Sequence, residues 1–171
     1  EKSAEAIIQL DADDAVEVIE DLHKEEQKEI LKAISDKGQR EELEQGLAYR
    51  EDSAGRIMEP DFVAIPVDWN VGQTIDFLRN EEQDLPSDFY QIFVIDEAMR
   101  PTGAVLVSRV LRNKRDIAIK DIMEEDLRKI NVNTDQEDVA YLFRKYAIAS
   151  APVVDDSGKI VGVISVDDIV D

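Results

Sequence analysis

The sequence Ile57-Met58-Glu59-Pro60 occurs a second time as Ile122-Met123-Glu124-Glu125, and similar segments follow both occurrences in the same order. Each occurrence precedes a short apolar stretch, a segment with helical periodicity, and two apolar runs of strand length separated by Asp- and Gly-containing turn signals. The paired runs lie at residues 92–95 and 104–107 in the first copy, and at residues 151–154 and 160–164 in the second. Because internal repeats are typical of tandem structural units, we predict two consecutive β-α-β-β-α units.

The first fifty residues have helical periodicity and contain neither strand signals nor proline. Residues 13–22 align with residues 25–34, since both segments open with two acids and their apolar positions coincide. Helices of about ten residues are too short to be stable alone, so we predict that they stack into a small superhelix. The periodicity is already under way at Glu1, and we expect further helices upstream. The expected fold class is α+β, with an all-α short-helix domain before the tandem pair.

The composition is strongly acidic, with 40 Asp and Glu against 20 Lys and Arg and a formal net charge of −20. This charge repels nucleic acid and anionic membranes, and divalent cations could relieve the self-repulsion. The absence of cysteine excludes disulfides and thiolate metal sites, which fits a reducing cytoplasm. No apolar run approaches the roughly 20 residues of a membrane helix, so we expect this region to be soluble.

Enzymatic activity is not predicted. The sequence has one histidine, His23, in a polar turn between two short helices and without a second histidine or a cysteine to partner it. No nucleophile elbow, P-loop or dinucleotide-binding glycine pattern is present. Trp69 is better placed to pack against the start of the first copy's helix than to stack on a ligand.

The segment Gly162-Val163-Ile164-Ser165-Val166-Asp167-Asp168 closes the second copy and resembles the Gly-x-hydrophobic-Ser/Thr-x-x-Asp signature of CBS domains. In family members that bind adenosine nucleotides, the hydroxyl and the carboxylate hold phosphate and ribose, which implies Ser165 and Asp168. The alternative is a capping box without a ligand, in which Ser165 is the N-cap and Asp168 the first-turn acid. The first copy has apolar residues at the corresponding positions, so only Arg109 could contact a phosphate there.

A second resemblance covers essentially the whole chain. The acidic short-helix repeats, the junction Glu51-Asp52-Ser53-Ala54-Gly55 and the segment Thr134-Asp135-Gln136-Glu137 are together similar to the cytosolic region of MgtE-type magnesium transporters. In that family a membrane domain with the pore follows the CBS pair, and we expect it to lie outside this sequence. The resemblance implies a helical N domain at residues 1–50, a junction at 51–56, a first CBS domain at 57–120 and a second at 121–171.

The ligand implied by the resemblance is Mg²⁺, a small hard cation that keeps several waters and is often held by one or two carboxylates. In the family, acids of the CBS pair and of the helical domain face each other across a cleft and bind several ions. The matching positions are Asp135, Glu137, Asp168 and Asp171 in the second copy, and Asp11, Asp13 and Asp14 in the acidic turn of the helical domain.

Three local features bear on these ligands. Asp168 and Asp171 are three residues apart on one helix face, where a shared cation would relieve a repulsion of a few tenths of a kcal/mol. Thr134 as N-cap and Glu137 would form a capping box, which is compatible with ion binding. The family can present an acid where this chain has Ala147, so one ion site is expected to be absent or differently built.

The resemblance also implies a mechanism. Magnesium neutralises facing carboxylates and favours a compact state that closes the pore, whereas its removal lets the domains separate. The expected partners are a second copy bound through the CBS pair, divalent cations, and the transmembrane pore domain, at the cytoplasmic face of the cell membrane. One alternative is a CBS module that senses ATP or AMP through Arg109, Ser165 and Asp168. Another is a dimerisation scaffold that responds to neither ligand.

Overall fold

The computed structural model describes residues 2–169, and at positions 2, 3, 12, 13, 45 and 46 it describes the backbone alone. Within this range the chain begins with α1 (Lys2–Ile8), α2 (Ala12–Glu20), α3 (Lys24–Ala33) and α4 (Lys37–Ala48). Their apolar faces meet around Ile19, Ile34 and Leu43, which are at most 2% exposed. This shared core stabilises helices that would be marginal in isolation. No helix in the described range is long and apolar enough to cross a membrane.

A one-turn helix, α5 (Ala54–Ile57), leads into two units with the order β-α-β-β, of which the first is closed by a helix and the second, within the described residues, by a 3-10 turn. The predicted α+β fold class is confirmed. The first unit consists of β1 (Ala64–Pro66), α6 (Val71–Leu78), β2 (Gln91–Ile95), β3 (Pro101–Leu106) and α7 (Val107–Leu111). The second consists of β4 (Ile130–Asn131), α8 (Gln136–Tyr146), β5 (Ser150–Val154), β6 (Ile160–Ser165) and a 3-10 turn at Val166–Asp168. Val107, predicted to close a strand, instead begins a helix.

The two units have the same sheet topology. In each, the first strand pairs parallel with the second, and the second pairs antiparallel with the third. The first core surrounds Ile65 and Ile92, and the second surrounds Val153 and Ile164. Trp69 packs edge-on against Phe77 with ring centroids 5.5 Å apart. Phe77 lies in the last turn of α6, whereas the sequence indicated packing against the start of that helix.

The two repeated segments are exchanged between the units. Glu59 pairs with Val163 of the second unit through backbone hydrogen bonds of 2.7 and 2.9 Å, and Glu124 pairs with Ala104 of the first through bonds of 2.8 and 2.9 Å. The methionine before each glutamate packs into the same unit that the glutamate joins. Each unit therefore completes its core with the segment that precedes the other unit, and the pair is tied together in both directions.

Candidate functional site

The junction between the helical domain and the tandem is built into the second unit. The N–H groups of Ala54 and Gly55 donate to Thr134 O and Val132 O at 2.8 and 2.9 Å. Ser53 is fully buried, and its hydroxyl donates to Arg50 O at 2.7 Å. The sequence indicated a junction between domains here, and in the structure α5 packs on the sheet and on α8 of the second unit. The signal that could have revealed this is the run of small residues, which permits close backbone approach.

Tyr49, the residue after α4, packs against this junction. A Cβ added at Gly55 would lie 2.5 Å from Tyr49 Cγ, so the aromatic ring occupies the space that a side chain would need. Burial raises the pKa of the Tyr49 phenol, and the negative charge of Asp155 adds to that shift. The end of the helical domain is therefore packed directly on α5.

An acidic cleft with a volume of about 390 Å³ lies between α2 and the second unit. Its lining comprises five carboxylates, one guanidinium and two further side chains: Glu17, Glu51, Asp52, Asp167, Asp168, Arg56, Ile57 and Gln136. The acids come from three parts of the chain, namely α2, the junction and the turn after β6. We call this cavity the acidic cleft.

Of the predicted magnesium ligands, Asp168 lines the acidic cleft. Asp11 and Asp14 are exposed near the start of α2, whereas the cleft is lined by Glu17, one turn further along that helix. The Asp13 side chain and the whole of Asp171 lie outside the described residues.

The other two predicted ligands lie at the start of α8. Asp135 is exposed and forms a 2.9 Å ion pair with Arg50, and Glu137 is exposed in the first turn of the helix. The N-cap of α8 is Asp135, so the prediction that Thr134 is the N-cap was wrong. The reason is tertiary: Gln136 N–H donates to Asp52 O at 2.7 Å, and this bond to the junction fixes where the helix begins.

The Asp168 carboxylate already has local hydrogen bonds. Its Oδ2 accepts from the Ser165 N–H at 2.9 Å and from the Ser165 hydroxyl at 3.1 Å. This is the capping arrangement expected as the alternative to ligand binding. The Asp168 Oδ1 atom and the neighbouring Asp167 are the other carboxylate oxygens that this turn can offer to a cation in the cleft.

The acidic cleft suits a hard cation, because all the negatively charged side chains that line it are carboxylates, whose oxygens such cations prefer. Among the described residues, no group of three or more such side chains converges closely enough to enclose a metal ion. A dehydrated ion held in a full protein cage is therefore not what this geometry offers. The arrangement suits a hydrated cation that contacts one or two carboxylates directly and others through water.

A second cavity, of about 410 Å³, lies between the two units. Ser165 and Ser150 line it together with aromatic side chains that include Phe62 and Phe89. Three acids also line this cavity, Glu59, Asp61 and Asp88, and its described lining contains no basic residue.

Arg109 does not line the cavity between the two units. Its Nη1 donates to Ile122 O at 3.2 Å, and the side chain is exposed on α7. The structure thus does not bring together Arg109 and Ser165, the two candidate phosphate contacts.

Comparisons with known proteins identify relatives of both halves. Residues 1–52 match the family described as MgtE intracellular N domain, and residues 119–171 match the family described as CBS domain. The magnesium transporter MgtE of Thermus thermophilus is 32% identical over 161 residues, which cover 93% of this chain and 36% of the relative. A crystal structure of the cytosolic domain of the Mg²⁺ channel MgtE in complex with ATP is 30% identical, with a TM-score of 0.81 over 98% of this chain and 68% of that one.

The chain belongs to the MgtE family. The magnesium transporter MgtE of Enterococcus faecalis is likewise 32% identical over 130 residues, which cover 76% of this chain and 28% of that protein. The chain thus spans about a third of the length of these curated MgtE relatives.

The acidic cleft lies between the two matched parts of this MgtE chain. Glu17 belongs to the part that matches the intracellular N domain, and Asp167 belongs to the part that matches the CBS domain. The first β-α-β-β-α unit, whose closing segment lacks the hydroxyl and acid of the signature, falls between the two matched segments. Ala147, where an altered ion site was expected, ends α8 in the left-handed conformation with φ 51°.

Proposed function

We propose that this chain is the magnesium-sensing regulatory region of an MgtE-type magnesium transporter. Magnesium bound between carboxylates of the helical domain and of the CBS pair favours the docked arrangement, which closes the pore of the full-length protein and so gives feedback on uptake. The observation that carries this proposal is the acidic cleft, where Glu17 of α2 faces Asp167 and Asp168 across one cavity.

The physical basis is the repulsion between acids that docking brings together. Five carboxylates line the cleft against one guanidinium, in a chain with a net charge of −20. Like charges that line one cavity disfavour the docked state, and a divalent cation between them reverses the sign of that interaction. Because more cation binds to the docked arrangement than to the separated one, magnesium shifts the equilibrium towards docking.

The predicted ligands take different positions in this proposal. Asp168 is a predicted magnesium ligand and lines the cleft. Asp167, Glu51 and Asp52 line it as well, but the sequence did not indicate them as ligands. The remaining predicted ligands, Asp11, Asp13, Asp14, Asp135, Glu137 and Asp171, stay proposals for further weak magnesium sites.

The partners also belong to the proposal. We infer a homodimer formed through the CBS pair and a pore domain elsewhere in the full-length protein, so that this region works at the cytoplasmic face of the membrane. Two relatives named magnesium transporter support that setting. The domain division at residues 50, 56 and 120 is part of the same proposal. Glu59 and Glu124 each pair with a strand on the other side of the boundary at residue 120.

Isothermal titration calorimetry with MgCl₂ tests the cleft directly. The double variant Asp52→Asn/Asp167→Asn removes two charges from the cleft, and Asp84→Asn/Asp116→Asn removes two from exposed loop positions. We expect the cleft variant to bind magnesium at least about fivefold more weakly than the loop variant, in keeping with direct coordination. Equal weakening in both would show that magnesium acts only as a diffuse counterion and would overturn the proposal.

A second candidate function is adenine-nucleotide sensing at the cavity between the units. It is favoured by Ser165 in the lining and by the ATP complex of the cytosolic domain that resembles this chain. The acids Asp61 and Asp88 oppose it, because they repel phosphate. Calorimetric titration with ATP, AMP and adenosine distinguishes the cases: nucleotide sensing requires ATP or AMP to bind, and to do so more tightly than adenosine.

A further inference from the structure

Arg56 connects the two halves of the molecule through a rigid support. It lies on α5, whose backbone is hydrogen-bonded to the second unit through Ala54 and Gly55. From there its Nη2 reaches Glu20 Oε2 of α2 at 2.6 Å, and its Nη1 donates to Tyr49 O at 3.3 Å. The guanidinium thus contacts the helical domain at two points, while the Arg56 backbone lies in the junction helix that is hydrogen-bonded to the second unit.

The Arg56 side chain is largely removed from solvent, with 8% of its surface exposed, whereas the ion pairs Arg50–Asp135 and Arg115–Asp76 are more than half exposed on both sides. Glu20 Oε2 is buried and, within the described range, has this ion pair in place of any hydrogen bond. The Glu20 side chain as a whole is 36% exposed, so the pair is shielded mainly on the arginine side. Such a partly shielded ion pair is worth more than an exposed one, and removal of Glu20 leaves the largely buried guanidinium without its carboxylate.

The surroundings of Arg56 also favour a positive charge electrostatically. Glu20 ends α2, and Tyr49 follows the end of α4, so the guanidinium lies near two helix C-termini, which attract cations. It is the one basic residue among the described residues that line the acidic cleft. Five carboxylates surround the same space, and Arg56 offsets part of their repulsion without any bound ion.

We propose that Arg56 is a built-in cation that favours docking of the helical domain on the CBS pair even without magnesium, and that it thereby sets how much magnesium is needed to complete the docking. This inference rests on the proposed magnesium-dependent docking of the same cleft. Arginine suits the position because its planar guanidinium carries several donors that can engage a carboxylate and a backbone carbonyl together. A magnesium ion then supplements a contact that is already present.

The test uses energy transfer between two dyes on the complete chain. Since the sequence contains no cysteine, Lys32→Cys and Lys120→Cys place single reactive thiols on exposed positions of α3 and of the first unit. Arg56→Gln is compared with Arg115→Gln, which loses an exposed ion pair with Asp76 of 2.8 Å and the same charge. Circular dichroism verifies that each variant is folded.

We expect Arg56→Gln to show lower energy transfer in EDTA and to need about tenfold more magnesium for half-maximal docking, whereas Arg115→Gln matches the parent chain. Glu20→Gln removes the same pair from the other side and should give the same result, with no further loss when it is combined with Arg56→Gln. The Glu20 variant also serves if Arg56→Gln does not fold.

The inference is overturned if the variants at Arg56 and Glu20 match Arg115→Gln both in EDTA and in the magnesium titration. If the parent chain does not respond to magnesium but the Arg56 variant is still more separated in EDTA, the docking contact stands and the magnesium proposal fails. The two claims are therefore distinguishable in one data set.

Discussion

Met58 of the first repeated segment packs against Gly162 of the second unit so closely that a Cβ added at Gly162 would lie 2.6 Å from Met58 Sδ and 2.8 Å from Glu59 O. The equivalent pair in the other direction is Met123 and Gly103, where a Cβ would lie 2.6 Å from the sulfur. Because Gly162 and Gly103 have no side chain, the neighbouring segment can approach the strand backbone at these two positions. The exchange of segments thus depends on glycine at both positions.

Gly162→Ala is expected to destabilise the chain by about 1–3 kcal/mol, because the methyl group must displace backbone as well as a flexible methionine. Urea unfolding measures the change. Gly38→Ala is the matched control. Gly38 lies in α4, and an added Cβ would be an ordinary 3.4 Å from its nearest neighbour, Asp36 Oδ1, so this substitution should stabilise the chain by about 0.5 kcal/mol. Unchanged stability in Gly162→Ala would show that the segments are not held this closely.

Met99→Gly is expected to stabilise the first unit. Met99 has φ 61° in the turn between β2 and β3, where the equivalent turn of the second unit has Gly158 with φ 88°. A residue with a Cβ loses about 1–2 kcal/mol of stability in the left-handed region, and glycine avoids this cost. Glycine has more conformational freedom in the unfolded chain, however, and this offsets about 0.5–1 kcal/mol of the gain.

The expected net gain for Met99→Gly is about 0.5 kcal/mol in urea unfolding. Gly158→Ala should destabilise the chain, because it places a Cβ on a residue in the left-handed region. The prediction requires the free energy of unfolding to rise in Met99→Gly and to fall in Gly158→Ala. A destabilised Met99→Gly would mean that the side chain, although 41% exposed, makes contacts that outweigh the backbone strain.

Asp155 is expected to make stability depend on pH below about 4. The Ser157 hydroxyl, which donates to its carboxylate at 2.6 Å, and the backbone N–H groups of Lys159 and Ser157 hold the pKa of Asp155 below its ordinary value of 3.8. A carboxyl with a lowered folded-state pKa contributes its stabilisation above the unfolded-state value and loses it as the pH falls through the folded-state pKa.

Asp155→Asn should therefore unfold at lower urea than the parent chain at pH 6, with the difference shrinking as the pH falls below 3.8. Asp84→Asn, at an exposed loop position, is the control for the general effect of lost charge. A difference that persists unchanged to pH 2.5 would show that the charged form of Asp155 is not what the turn stabilises.

Much of the fold follows from local sequence. The strand run at residues 92–95 is found as β2 at Gln91–Ile95, because turn signals bound a short β-branched and aromatic run on both sides. The exchange of the repeated segments does not follow, since the order of motifs along the chain suggests that each one opens its own unit. The packing of Met58 on Gly162 and the backbone pairing of Glu59 with Val163 fix the partner, and both join residues that are distant in sequence.

The candidate site was predicted in part. Asp168 was found because it belongs to a recognisable signature, whereas Glu17 was missed because the acids at the start of α2 were more conspicuous. Which turn of α2 faces the cleft is set by the docking of the helical domain on α5, through contacts such as the ion pair of Arg56 with Glu20. Local periodicity contains no information about that docking.

Magnesium-dependent docking is the central claim, and small-angle X-ray scattering during a magnesium titration, with sodium chloride matched for ionic strength, measures it most directly. The account predicts that the radius of gyration decreases as magnesium rises through the millimolar range, and that Asp52→Asn/Asp167→Asn removes most of this dependence on magnesium. A radius of gyration that follows ionic strength alone, with no additional effect of magnesium, would contradict it.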